Sequence, residues 1–106
     1  MRNILATLFA GTAFLCNMVL ADEYTVDQKG NMFNQTVLKI KVGGTVNFRN
    51  LDAHYHHVFS LTEGHTFDLG SYGQGQTRNH TFNTLGKLDV ECAIHPKMRF
   101  TIEVSK

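Results

Sequence analysis

From Asp22 onward, apolar residues recur at every second position over short stretches, and glycine, asparagine or aspartate interrupts each stretch. Val37 to Val42 alternates with period two and puts Leu38, Ile40 and Val42 on one face, the pattern of a half-buried strand. Gly43-Gly44 reads as a tight turn into Thr45 to Arg49, which predicts a hairpin. Tyr24-Thr25-Val26 opens the series, Asn50 to Ala53 breaks it, and Val58 to Leu61 resumes it. Phe67-Asp68-Leu69 is a short apolar island before Gly70, Gly73 and Gly75. Arg78 to Phe82 reads as a strand, Gly86-Lys87 as a turn, and Leu88 to Cys92 as a further strand. Arg99 to Val104 closes the chain with Phe100, Ile102 and Val104 on one face. No stretch carries a helical period. About seven to eight short strands with regularly spaced turn signals predict an all-β, Greek-key β-sandwich.

Residues 1–21 follow another pattern. Met1-Arg2 is a short positive start, Ile4 to Leu20 is apolar, and Val19-Leu20-Ala21 is a small-residue cleavage pattern, as in a secretory signal peptide. Gly11, Thr12 and Asn17 interrupt the run, which is at the short end of the roughly 20 residues a spanning helix needs, so removal is expected rather than retention as an anchor. The expected mature protein is one domain, 22–106, exported to the periplasm. Cys16 leaves with the signal, and Leu15 before it is bulkier than the small residue lipoprotein processing takes. Cys92 is then a lone thiol in an oxidising compartment, a liability unless buried or bound to a metal.

Ten Lys and Arg stand against nine Asp and Glu, with six His. Without a basic cluster, neither nucleic acid nor an anionic membrane surface is an expected partner. A domain this small is marginal on buried area alone, and a bound metal would add to its stability.

The chemistry concentrates in Cys92-Ala93-Ile94-His95-Pro96-Lys97-Met98. A thiolate, an imidazole and a thioether at i, i+3 and i+6 are soft and borderline donors, suited to copper cycling between Cu(I) and Cu(II). Methionine is a poor choice for zinc. A trigonal copper site needs a second histidine, and the strongest candidate stretch is His54-Tyr55-His56-His57-Val58-Phe59-Ser60, centred on His56. Pro96, with its fixed φ, stiffens the loop between two donors. No G-x-S-x-G, H-E-x-x-H, paired-carboxylate or C-x-x-C-H pattern occurs, so the protein is not expected to be an enzyme, Cu(I) oxidation being the one activity left open. His65 and His80 read as surface residues and Met32 as packing.

The Val37 to Phe48 segment, the H-H-V-F-S stretch, Phe67 to Gly70 and C-A-I-H-P-K-M together resemble the cupredoxins, small type 1 copper proteins, and in particular the plastocyanin- and amicyanin-like branch. The resemblance implies His56, Cys92 and His95 as equatorial ligands of one copper, Met98 as the axial one, and one-electron transfer as the function. Near-zero net charge argues against long-range steering, so a transient redox donor or acceptor is expected to dock on an apolar patch around His95 and Pro96, and the protein is expected to be a monomer. His57 stands where the family usually has asparagine, and Ala93 where it often has a hydroxyl residue, so a perturbed site is expected. The chain also resembles exported copper-tolerance cupredoxins rich in histidine. That points to an alternative, a protein that binds or oxidises Cu(I), with His54 and His57 as candidates for a second copper site or for supporting the first.

Overall fold

The structure is a computed structural model that describes residues 21–106. The expected signal segment, 1–21, lies outside the described residues except for Ala21, and Cys16 lies outside them too. Nine strands follow in order: β1 (Glu23–Lys29), β2 (Met32–Phe33), β3 (Val37–Lys41), β4 (Thr45–Asn50), β5 (His56–Ser60), β6 (Phe67–Tyr72), β7 (Thr77–Thr81), β8 (Gly86–Cys92) and β9 (Arg99–Ser105). They form a sandwich of a four-stranded sheet, β2-β1-β4-β7, and a five-stranded sheet, β3-β9-β8-β5-β6.

The expected alternation is what builds the core. β4 turns Val46, Phe48 and Asn50 inward, β8 turns Leu88, Val90 and Cys92, and β9 turns Phe100, Ile102 and Val104. Val26, Val46, Phe48, Val58 and Ile102 are fully buried, and each such side chain contributes about 1.5–3 kcal/mol by leaving water. Phe100 joins the layers, its ring centroid 4.8 Å from Phe33 and 6.3 Å from Phe48.

Four expectations are corrected. There are nine strands rather than seven to eight. The Val37 to Arg49 segment is not a hairpin: β3 runs parallel to β9 in one sheet, while β4 lies in the other, parallel to β1 and antiparallel to β7. The double glycine crosses between layers. Val42 N–H donates to Ser105 O and Gly43 N–H to Phe82 O, at the ends of the two sheets. A Cβ on Gly44 would lie 2.9 Å from Lys41 O and 3.0 Å from the Tyr24 ring, so the crossing needs glycine. Val42, already past the strand, is exposed rather than on the inner face of Leu38 and Ile40. Met32, expected to pack, is 65% exposed, because the two-residue β2 turns Phe33 inward and its neighbour out.

The expected adjacency of the Cys92 and Phe100 strands is present: β8 and β9 pair antiparallel, with Glu91 opposite Arg99, and residues 93–98 loop between them. β5 pairs with the other edge of β8, Val58 opposite Cys92. The end of β8 and the start of β5 therefore share one pole of the sandwich.

Candidate metal centre

Cys92 is the last residue of β8 and His56 the first of β5, and both side chains point inward, 2% and 0% exposed. His95 comes from the loop, which two backbone bonds close: Met98 N–H donates to His95 O at 2.9 Å and Cys92 N–H to Met98 O at 3.1 Å. Three donor atoms converge. His56 Nδ1 and His95 Nδ1 are 3.2 Å apart, and Cys92 Sγ lies 3.8 Å from the first and 4.0 Å from the second. Met98, 1% exposed, is anchored behind the loop through its backbone.

The loop after β4, through its buried Asp52, decides which nitrogen of His56 faces this triangle. Asp52 Oδ2 accepts from His56 Nε2 at 2.7 Å, so Nε2 carries the proton and Nδ1 keeps its lone pair. The same carboxylate accepts from Gly30 N–H at 2.7 Å and Asn31 N–H at 3.1 Å. Burial raises the Asp52 carboxyl, but the bonds from His56, Asn31 and Gly30 outweigh it and hold it at about 2. Asn50, fully buried, fixes the loop: its Nδ2 donates to His54 O and Tyr72 O, and its Oδ1 accepts from Asp52 N–H. Burial, then the neighbouring His56 and His54, lowers the His95 pKa, which favours a neutral ring with a free lone pair.

The segments that carry His56 and Cys92 are tied by backbone. His57 N–H donates to Cys92 Sγ at 3.4 Å and Ala93 N–H to His57 O at 2.9 Å. The His57 ring points away, its Nε2 2.6 Å from Asp68 Oδ1 and its Nδ1 3.3 Å from Ser71 Oγ. His54 does join the cluster. One nitrogen from each of His54, His56 and His95 lies within 4.8 Å of the others, and its ring is 5.1 Å from each of the other two.

His65 and His80 lie away from this pole and are not plain surface residues. His80 stacks on Phe67 at 4.5 Å, and burial lowers its pKa. His65 Nε2 is 3.1 Å from Leu85 O. The sequence reading missed Asp52, Asn50 and Asn31. Their one signal is weak: a carboxylate four residues before a candidate ligand histidine, inside a polar break.

Two imidazole nitrogens, a buried cysteine sulfur and the thioether of buried Met98 from the same loop are a donor set that fits copper. Beside His95, Asn31, Met32, Ile94, Pro96 and Lys97 line a shallow surface hollow. Met32 and Ile94 there are exposed. Among the described residues, no helix is long and apolar enough to cross a membrane.

No protein-family model matches the chain, and no curated protein matches it. Solved structures do. A copper-containing nitrite reductase from Thermus scotoductus SA-01 is 31% identical with a TM-score of 0.72, over 82% of this chain and 23% of that one. The chain therefore spans about a quarter of that enzyme. An amicyanin variant in its Cu(I) form is 27% identical with a TM-score of 0.73, over 81% of this chain and 86% of amicyanin. A purple cupredoxin from Nitrosopumilus maritimus shares the fold at 22% identity, with a TM-score of 0.68. Nine strands in two mixed sheets, together with the overall likeness to these copper proteins, make this chain a cupredoxin by fold.

Proposed function

We propose that the protein is an exported one-electron carrier that holds one copper ion through His56, Cys92 and His95, with Met98 as a weak axial donor. The observation that carries the reading is the triangle of His56 Nδ1, His95 Nδ1 and Cys92 Sγ, 3.2 to 4.0 Å on its sides. Bound there, copper supplies a one-electron couple. The protein's part is to keep the donors still. His56 and Cys92 sit on paired strands, Asp52 fixes the His56 ring, and Pro96 and two backbone bonds stiffen the loop. Little has to rearrange when an electron arrives. His95, at the hollow lined by Met32, Ile94 and Pro96, is the outlet, and a redox partner docks there transiently. Near-zero net charge fits docking by apolar contact rather than by long-range steering. Export to the periplasm rests on residues 1–21.

One observation favours a second reading, copper tolerance: the exposed Met32 and the half-exposed His54 stand at the same pole and offer further donors for Cu(I).

A Cu(II) titration of residues 22–106, read by visible absorption and paramagnetic resonance, tests both. One copper with an intense sulfur-to-copper band, lost in Cys92→Ser, is the expected result. Binding beyond one copper, together with copper sensitivity on deletion, favours the second reading. Absence of any sulfur-to-copper band overturns the central one.

A further inference from the structure

Two side chains at this pole have no part in the proposed ligand set, and both are held in place. His54 is half exposed, and its Nε2 is hydrogen-bonded to Asn31 Oδ1. An amide oxygen only accepts, so Nε2 carries the proton and the free lone pair is on Nδ1. Asn31 is no chance neighbour. It is the one described non-glycine residue with positive φ, +56°, in the tight β1–β2 turn after Gly30 at +63°. Asn is among the few residues that accept that conformation. Asp52 holds the turn through the Gly30 and Asn31 N–H groups, with the carboxylate that also holds His56.

One carboxylate therefore orients two histidines. It acts on His56 directly, and on His54 by fixing the backbone of the residue that bonds its far nitrogen. In both rings Nε2 is the hydrogen-bonded nitrogen, one nitrogen from each of His54, His56 and His95 lies within 4.8 Å of the others, and Cys92 Sγ is 3.8 Å from His56 Nδ1 and 4.0 Å from His95 Nδ1. His54 Nε2 is 3.9 Å from Asp52 Oδ2, beyond hydrogen-bond range, so the Asn31 link is the one that sets its ring.

We infer that His54 is a further donor to the same ion that His56, Cys92 and His95 hold, and that Asn31, fixed by Asp52, is its positioning residue. The inference rests on the copper reading above. A third imidazole makes the site more nitrogen-rich and competes with the cysteine sulfur for the ion. Imidazole favours Cu(II) more than the thioether of Met98 does. The sulfur-to-copper intensity then moves to shorter wavelength, the copper hyperfine splitting widens, and the reduction potential falls.

The test is the copper-loaded protein compared with His54→Gln and Asn31→Gly. The half-exposed ring of His54 makes the first change tolerable, and glycine removes the Asn31 amide while keeping the turn free of strain. The expected result is a shift of the absorption to longer wavelength, a narrower splitting and a higher potential in His54→Gln. A smaller shift in the same direction is expected in Asn31→Gly. An unchanged spectrum in His54→Gln, with the sulfur-to-copper band intact in both proteins, overturns this inference alone. So does loss of a second bound copper in His54→Gln with the first spectrum unaltered, because His54 would then serve another ion. Failure of the parent protein to show any sulfur-to-copper band overturns the copper reading and this inference with it.

Discussion

The two faces of the start of β5 carry the same pairing and give it different consequences. On the inner face, His56 donates from Nε2 to Asp52 at 2.7 Å, and its ring is fully buried. On the outer face, the next residue, His57, meets Asp68 through its own Nε2 at 2.6 Å, with 27% of its side chain and 65% of that of Asp68 exposed. The inner carboxylate also satisfies two backbone N–H groups of a neighbouring turn, so it is joined to the fold at three points. The outer one accepts a local bond from Gly70 N–H, two residues away. The histidine–carboxylate pair is thus a structural element where it is buried and shared, and a solvated surface contact where it is not.

The change that breaks this comparison most strongly is Asp52→Ala. It leaves the buried His56 Nε2–H without its acceptor and releases the Gly30 and Asn31 N–H groups of the exposed β1–β2 turn. The expected loss is on the order of 3 kcal/mol in urea unfolding of the metal-free protein. A 10–100-fold weaker hold on copper is expected in a competition titration. Asp68→Ala should cost less than about 1 kcal/mol and leave copper affinity as it was.

Acid distinguishes the two carboxylates next. Asp52 is held at about 2, below its ordinary 3.8, so its contribution is fully present above the ordinary value and disappears as pH falls from about 4 toward 2. Asp68 is lowered too, first by the Gly70 N–H and then by His57, but its exposure screens the effect. Unfolding measured across that window should show a shallower slope in Asp52→Asn, with Asp27 still contributing, and a barely altered one in Asp68→Asn.

The smallest expected effect is that of His57→Asn. Its ring bonds only Asp68 and Ser71, while the bonds to Cys92 Sγ and from Ala93 N–H come from the His57 backbone and survive the exchange. The shift in the copper spectrum should be smaller than that of His54→Gln.

Much of this was legible in the sequence because strands and the cysteine loop are local signals. Period-two alternation located the strand cores, and Cys92, His95 and Met98 fall within one loop whose ends must meet. Partner choice was not legible. The Val37 to Arg49 alternation with Gly43-Gly44 suits a hairpin, and only contact with Ser105 and Phe82, far along the chain, shows that the turn changes layers. A two-residue strand such as β2 is too short for its period to be read, which is why Met32 looked like core. Asp52 and Asn31 carry no motif. Their significance comes from two polar loops that the fold brings together, and no spacing along the chain encodes that.

The parallel pairings also bear on how the chain reaches its folded state. Neither the β1–β4 nor the β3–β9 ladder can be closed by a tight turn, and the second joins a strand near the beginning of the domain to its last one. Such long-range pairings lose chain entropy before contact energy is gained, so the protein belongs among slow folders. The β8–β9 hairpin, by contrast, is local, and it already carries Cys92, His95 and Met98. A partly folded chain can therefore bring Cys92, His95 and Met98 together before His56 arrives, and on the proposed copper reading an ion captured at that stage would hold the hairpin while the two sheets assemble around it.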